Sequence, residues 1–195
     1  MNTKHALSIF TLIAFPLGCA NAGLLGPSPY LQASDSPLSG GRYSYFYLEN
    51  FEDHLLNVPG VTTSSGGVTS VVFGPAIHDS VDADDGVIDG SGLQGDSYFS
   101  FDGSGGIKFT FNSGTLGSLP TDAGIVWTDG AGTTTFEAFD QNGVSLGVIA
   151  PVSIADGSFN GETAEDRFFG VNNPGGVSAI FISNSSGGIE VDHLQ

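Results

Sequence analysis

Cysteine and basic residues are scarce in this sequence, and each shortage excludes a class of protein. The one cysteine, Cys19, lies near the amino terminus, so the body of the chain has neither a disulfide framework nor thiolate chemistry. Four lysines and arginines stand against 21 aspartates and glutamates, which gives a formal net charge of −17. Nucleic acids and anionic membranes bind basic patches, so we expect neither as a partner. The negative charge favours cations or neutral polar ligands such as sugars as partners. Alternatively, the charge only maintains solubility.

No apolar run in the sequence is long enough to cross a bilayer, and the longest one lies within residues 1–22. There "MNTKH" carries positive charge, residues 6–18 form a run too short to cross a bilayer, and Ala20 and Ala22 form an A-x-A pattern. We expect a secretory signal peptide cleaved after Ala22 and an extracellular protein with no membrane attachment. A lipoprotein signal would cut at Cys19, but Pro16 occupies the position where such signals carry leucine.

The rest of the chain has many short β-type runs and no convincing helical period. Residues 23–42 are rich in proline, serine and glycine, which predicts a flexible lead-in. Apolar and polar residues alternate in several later runs, and Asn142-Gly143 predicts a hairpin. The predicted strands are 43–48, 68–73, 97–101, 106–111, 123–128, 133–139, 144–149, 177–182 and 188–194. This spacing is typical of a single antiparallel β-sandwich over residues 43–195.

The ten residues "VDADDGVIDG" at 81–90 hold four aspartates and two glycines. Asp82, Asp84, Asp85 and Asp89 offer several of the oxygen ligands that calcium requires. The spacing is not that of an EF-hand loop, because Gly86 comes one place early and no glutamate closes the loop. The loop is therefore interpreted either as a calcium site or as a solvated acidic turn.

A second possible cation site joins the two ends of the predicted domain. First and last strands often lie side by side in such folds, which would let Glu52 and Asp192 share one ion, although two exposed acids at strand ends fit as well. His54, His78 and His193 have no metal-ligand spacing. We expect these three histidines at the surface or at strand edges.

Candidates for catalysis and for sugar contact are fewer. Glu162, Glu165 and Asp166 form the best acidic cluster for a hydrolase, with Arg167 as their expected ion-pair partner. Tyrosines 43, 45 and 47 alternate along one predicted strand face, where they form either a sugar platform or packing under a loop. Trp127 is expected in the core.

Several stretches resemble a family of exported bacterial proteins that usually carry a PEP-CTERM sorting tail. The matching pieces are "YLENFED", "VDADDGVIDGSG", "LPTDAGIVWTDG", "TTTFEAFDQNGVSLG" and "TAEDRFFGVNNPGGVSAIFISNSSGGIEVDHLQ". The resemblance implies a jelly-roll or galactose-binding-like sandwich, a shape that commonly binds carbohydrate and often holds a structural calcium, here near Glu52 and Asp192. No sorting tail follows Gln195 in this sequence, so we expect a released protein.

Together these features predict a secreted, non-catalytic β-sandwich module of a cell surface or extracellular matrix. Its expected ligand is a glycan or exopolysaccharide, and its expected cofactor is a structural calcium. A polysaccharide-acting hydrolase and a purely structural scaffold without ligand are the alternatives. The identity of the ligand and the oligomeric state are left open by the sequence.

Overall fold

The computed structural model describes residues 22–74 and 79–195, and strands dominate it. The strands are β1 (Gly23–Pro29), β2 (Val61–Thr63), β3 (Gly67–Val68), β4 (Tyr98–Ser100), β5 (Ile107–Phe111), β6 (Asp122–Asp140), β7 (Ser145–Val152), β8 (Arg167–Asn172) and β9 (Val177–Asp192). The helices are α1 (Thr69–Phe73) and α2 (Ser113–Leu116), with 3₁₀ turns at Ala33–Asp35 and Asp82–Asp85. The predicted all-β fold is confirmed.

The described strands form one nine-stranded sheet in which every pair is antiparallel. Its main path runs β1-β8-β6-β9-β4-β3, while β7 pairs with β6, and β5 joins β9 to β2. Strand β6 is central because it pairs with β7, β8 and β9. Its ladder with β9 extends from Val126–Asp192 to Asp140–Val177.

Strands β6 and β9 are each longer than the sequence predicts. Residues 123–128 and 133–139 belong to one strand, as do 177–182 and most of 188–194. The β6–β9 register shifts repeatedly around Gly130, where a Cβ atom would collide with the side-chain amide of Asn184. Beyond these bulges, the Phe136 ring stacks on Phe169 at 5.9 Å, so both halves of β6 face one core. The finer assignment to a jelly-roll sandwich stays a prediction.

Side chains alternate across β6 between two apolar clusters. The larger cluster contains Trp127, Phe136 and Phe169, and the smaller one contains Tyr30, Leu38, Val81, Val126 and Phe168. Trp127 is fully buried, as expected, and its Nε1 donates to Asn184 Oδ1 at 2.9 Å. The smaller cluster therefore lies on the opposite face of the sheet from the main core.

Two predicted strands are wrong. Residues 43–48 form no strand, and 68–73 is mostly helix α1. The helix begins where the Asp96 carboxylate accepts hydrogen bonds from the Ser70 backbone N–H at 3.0 Å and from the Thr69 hydroxyl. A distant carboxylate thus supplies the cap that decides against a strand.

The link between β4 and β5 is also not the hairpin turn that "DGSGG" suggests. Both strands pair with β9, at Ser100–Ile189 and Ile107–Ile182. The other predicted hairpin is confirmed, since β6 and β7 are antiparallel across the turn that contains Gly143, whose φ is 74°. The positive φ that the turn requires is supplied by this glycine.

The amino-terminal part of the described chain departs from the predicted lead-in. Residues Gly23–Pro29 form β1, which pairs with β8, and Tyr30 is fully buried. Strand β8 itself was not predicted either. The predicted signal peptide falls almost entirely in residues 1–21, outside the described residues. Within the described ranges, no helix has the length and apolar character needed to cross a bilayer.

Candidate functional site

The predicted aspartate loop lies against the face of the sheet that carries the smaller cluster. Asp79 N–H donates to Glu190 Oε1 at 3.0 Å, and Val81 N–H donates to Asp192 Oδ2 at 2.9 Å. Residues 79–81 therefore run alongside the end of β9. Two buried acids of β9 provide the attachment for the loop.

The four loop aspartates do not converge on one point. Asp82 is buried, and it accepts hydrogen bonds from the backbone N–H groups of Asp89, Gly90 and Ser91 at 3.0–3.3 Å. Asp85 accepts from Val87 N–H at 2.8 Å. Asp89 is exposed. These contacts fold the loop upon itself, and only Asp84 reaches toward another element.

Asp84 meets Asp192 and His193, and these three residues offer ligand atoms that all lie within 4.8 Å of one another. His193 Nε2 lies 2.9 Å from Asp84 Oδ1, and its Nδ1 lies 2.8 Å from the Tyr30 hydroxyl. We name Tyr30, Asp84, Asp192 and His193 the tyrosine–histidine cluster. It joins one residue of each predicted metal site to a histidine that we expected at the surface or at a strand edge. His193 directly follows the end of β9 and is only 2% exposed, so it lies at a strand end and not at the surface.

The electrostatics of the tyrosine–histidine cluster follow from its burial. Burial and the neighbouring Asp84 carboxylate raise the pKa of Asp192 well above its ordinary value. Burial, together with the charges of Asp192 and Asp84, also raises the pKa of Tyr30. The tyrosine therefore keeps its proton at neutral pH.

A metal would find mixed donors in the tyrosine–histidine cluster. One imidazole nitrogen with carboxylate oxygens is typical of zinc and similar ions, whereas calcium prefers oxygen alone. Hydrogen bonds within the protein also satisfy the Asp192 carboxylate, because it accepts from the backbone N–H groups of Val81 and His193. Of its four side chains, only Asp84 has a buried oxygen without a hydrogen bond, Oδ2. Its residues therefore fit calcium poorly.

Glu52 lies in a different network from Asp192. Its Oε1 accepts from Asp96 N–H at 2.5 Å, and burial raises its pKa to about 7. The Asp96 carboxylate also lies 2.7 Å from the Nδ1 of His54, whose side chain is 66% exposed. Burial alone would raise the pKa of Asp96, but hydrogen bonds from His54, Ser70 and Thr69 lower it. This network caps α1, and no sequence pattern indicated it. His78 lies outside the described residues.

The acidic cluster considered for hydrolysis is divided. Glu162 accepts from the Ser158 hydroxyl at 2.8 Å, whereas Glu165 and Asp166 are buried. The expected ion pairs of Arg167 are not formed. Its guanidinium instead donates to the carbonyl oxygens of Ala164 and Asp166 at 2.9 and 2.8 Å.

The tyrosines line a groove of about 250 Å³ between residues 38–47 and the turn around α2. Tyr45 donates to the Ser118 carbonyl at 3.1 Å. The rings pair as Tyr43 with Phe46 and Tyr45 with Tyr47, each at 5.7 Å, so they do not share the single strand face that alternation suggested. Polar and charged side chains at the groove include Arg42, Asp122 and Gln195.

Comparisons with known proteins give little further information. No protein-family model matches the chain, and no curated protein matches it. One solved structure, the enzymatically active domain of bacteriophage CBA120 tailspike protein 4, matches with 17% sequence identity and a TM-score of 0.38. The match covers 75% of this chain and 20% of that one, so the chain spans about a fifth of its length. The resemblance to exported PEP-CTERM-type proteins stays a prediction.

Proposed function

We propose that this protein is an exported, non-catalytic β module that binds a glycan or related polymer and contains a structural calcium ion. The observation that carries the proposal is the groove with three tyrosines and two phenylalanines beside Arg42, Asp122 and Gln195. Aromatic faces pack on the C–H faces of sugar rings, and charged and amide groups bind the hydroxyls. Ligand sites commonly combine an apolar lining with a few polar groups in this way.

The lining of the groove favours binding over hydrolysis. Asp122 is the only carboxylate side chain among the groove residues. Glycoside hydrolysis ordinarily requires two carboxyl groups that flank the bond. A polysaccharide hydrolase would therefore need a different cleft. A polysaccharide hydrolase and a scaffold without ligand are the two alternatives to a binding module, and the binding experiment below distinguishes all three.

Export and the choice of ligand class rest on the sequence. Residues 1–22 resemble a secretory signal, and the formal charge of −17 disfavours nucleic acid and anionic membrane as partners. A neutral polymer encounters no electrostatic repulsion from such a surface. The proposal includes neither an oligomeric state nor a particular sugar.

The groove is tested by glycan-array binding of the purified protein, followed by titration of the best ligand. Tyr47 is 41% exposed, and its ring lies at a tilt beside the anchored Tyr45, so Tyr47→Ala removes a contact face. We expect affinity to fall about tenfold, the size expected for an aromatic anchor.

The matched control is Phe101→Ala, which removes another exposed aromatic ring, 70% exposed and absent from the groove lining. It should leave affinity unchanged. Equal losses in both variants, or no array signal at all, would contradict the groove as a glycan site. Release of reducing ends from a bound polysaccharide would replace binding by hydrolysis as the function.

A further inference from the structure

A row of oxygen-bearing side chains lies on the face opposite the main core, at β6, at β9 and at the residue before β8. Trp127 pairs with Arg167 in β8 and with Val191 in β9, and its ring belongs to the main core. Val126 lies on the other face, in the smaller cluster, and alternation places Thr128, two residues later, on that face, next to the register shift between Trp127 and Asp129. Asp166 and Glu190 adjoin the same pairs and share that face. Directly opposite cross-strand side chains have Cβ atoms about 5 Å apart.

Asp79 covers this row from above. Its N–H donates to Glu190 Oε1 at 3.0 Å, which fixes the loop over the row. The charge of Asp79 is also the largest charge effect on the pKa of Asp166, which agrees with a position of Asp79 near Asp166. We name Asp79, Thr128 and Asp166 the oxygen cluster.

The oxygens of this cluster lack protein partners. Six buried side-chain oxygens in the described ranges have no hydrogen bond, and four of them belong here: Asp79 Oδ1, Thr128 Oγ1, and both Oδ atoms of Asp166. Thr128 and Asp166 are 0% exposed, and Asp79 is 4% exposed. Buried polar atoms normally have partners, and a buried charge without one is strongly unfavourable. The concentration of four such atoms indicates a ligand.

The protonation behaviour agrees with this geometry. Burial, together with the charges of Asp79, Glu165 and Asp82, raises the pKa of Asp166 to about 10, and the charge of Arg167 opposes this shift. Burial and the charges of Glu190, Asp129, Glu165 and Glu162 raise the pKa of Asp79 to about 9. A bound cation would remove the penalty of ionising both carboxyls.

We propose that the oxygen cluster is a calcium site, with Asp166 and Asp79 as the charged ligands and the Thr128 hydroxyl as a neutral one. The donors are all oxygen, which suits calcium, whereas no histidine or cysteine is present to favour zinc. Nearby Glu190 and Glu165 add negative charge. The inference rests on the calcium part of the proposed function and assigns the ion to a place outside the aspartate loop.

A second cavity lies beside Glu190, the residue that holds Asp79. It has a volume of about 270 Å³ and is lined by Glu190 and Asp129 together with Phe99 and Phe159. Burial raises the pKa of Asp129 to about 6, so this carboxyl is largely ionised at neutral pH. Asp129 and Glu190 therefore place two acidic groups in a cavity next to the loop segment that carries Asp79.

The test is the melting temperature of the purified protein with excess calcium and with chelator. Wild type should melt at a higher temperature in calcium, saturably, because the ion binds the folded state. Asp166→Asn should abolish that rise. In chelator it should melt no lower than wild type, because the Asp166 carboxyl makes no side-chain hydrogen bond that the amide would lose. A role in packing alone would lower melting in both conditions.

Two further variants locate the ion. Thr128→Val keeps the shape of the side chain and removes one ligand. The affinity for calcium, measured by calorimetry, should therefore fall about tenfold. Asp89→Asn, in the exposed part of the aspartate loop, should keep the full rise. No rise in wild type, or an equal rise in wild type and Asp166→Asn, would overturn the site.

The calcium test is independent of the groove. Tyr47→Ala should lose glycan binding and keep the calcium rise, and Asp166→Asn in calcium-free buffer should remain folded. A protein that responds to calcium at Asp166 but binds no glycan would remove the glycan part of the proposed function and leave this site in place.

Discussion

Two groups of buried acids lie on the same face of the sheet and differ in how their charge is compensated. In the tyrosine–histidine cluster, Asp192 accepts two backbone hydrogen bonds, and His193 contacts Tyr30 and Asp84. In the oxygen cluster, both oxygens of Asp166 lack partners. Burial of a carboxylate is compatible with stability when the protein satisfies it, and otherwise requires a proton or an ion.

The difference has opposite consequences for mutation. Removing one member of a satisfied network leaves its partners buried and unpaired, which costs more than the hydrogen bond itself contributes. Removing a buried carboxyl that has no partner leaves no other group unpaired, and it relieves the cost of ionising that carboxyl. The two clusters are therefore separated by the sign of the stability change.

The largest effect is expected for Asp192→Ala. The substitution leaves the backbone N–H groups of Val81 and His193 without their acceptor, and it leaves Asp84 with the His193 imidazole as its only partner in the cluster. We expect a loss of roughly 3–5 kcal/mol in the free energy of unfolding, the size seen when a buried charged network is broken. Urea denaturation should give the same loss with calcium and with chelator. A loss present only in calcium would instead make Asp192 a ligand of the ion and erase the contrast between the clusters.

A smaller effect is expected in the pH dependence of stability. A carboxyl whose pKa is raised on folding stabilises the folded state below its unfolded value of about 4, and this contribution is lost as pH rises toward the folded pKa. For Asp166 that folded pKa is about 10. In chelator, the free energy of unfolding contributed by Asp166 should therefore fall between about pH 5 and about pH 8.

Comparison with Asp166→Asn isolates this contribution. The variant should lose less stability than wild type across the same pH interval, measured by urea denaturation in chelator. Parallel pH profiles for the two proteins would show that Asp166 does not carry a raised pKa.

The smallest effect is expected for Asp89→Ala. Asp89 is exposed, and its contribution to loop structure is a backbone N–H donated to Asp82, which the substitution keeps. We expect a change within about 0.5 kcal/mol in the free energy of unfolding, measured beside Asp192→Ala. A loss as large as that of Asp192→Ala would mean that the aspartate loop itself holds a cation and that the oxygen cluster is not the principal site.

Much of the sheet was predictable, and its exceptions have identifiable causes. Alternation in residues 107–111 and the glycine of the 142–143 turn predicted β5 and the β6–β7 hairpin correctly. Residues 68–73 have the composition of a strand, but Asp96 caps them as a helix. The prolines and glycines of residues 23–29 argue against a strand, so composition does not predict β1. This strand depends on its pairing with β8. Local composition carries no information about such distant partners.

The candidate sites were only partly predictable. Four aspartates in one loop suggested a single calcium site. In the structure, Asp82 and Asp85 accept hydrogen bonds from backbone N–H groups of their own loop, whereas Asp84 contacts His193. Asp166 was noticed only as a possible hydrolase residue. Thr128 carried no signal at all, because a threonine in a strand is ordinary.

The sequence by itself determined an acidic, β-rich chain without a disulfide framework in its body, since composition and short-range alternation act locally. Only the tertiary structure decided which acids are satisfied and which are not. That depends on the register of β8, β6 and β9, which places Thr128 and Asp166 next to the Trp127–Arg167 pair, and on the loop whose Asp79 N–H donates to Glu190. Pairing between distant segments sets the environment of each carboxylate, and the environment decides whether the carboxylate needs a partner, a proton or an ion.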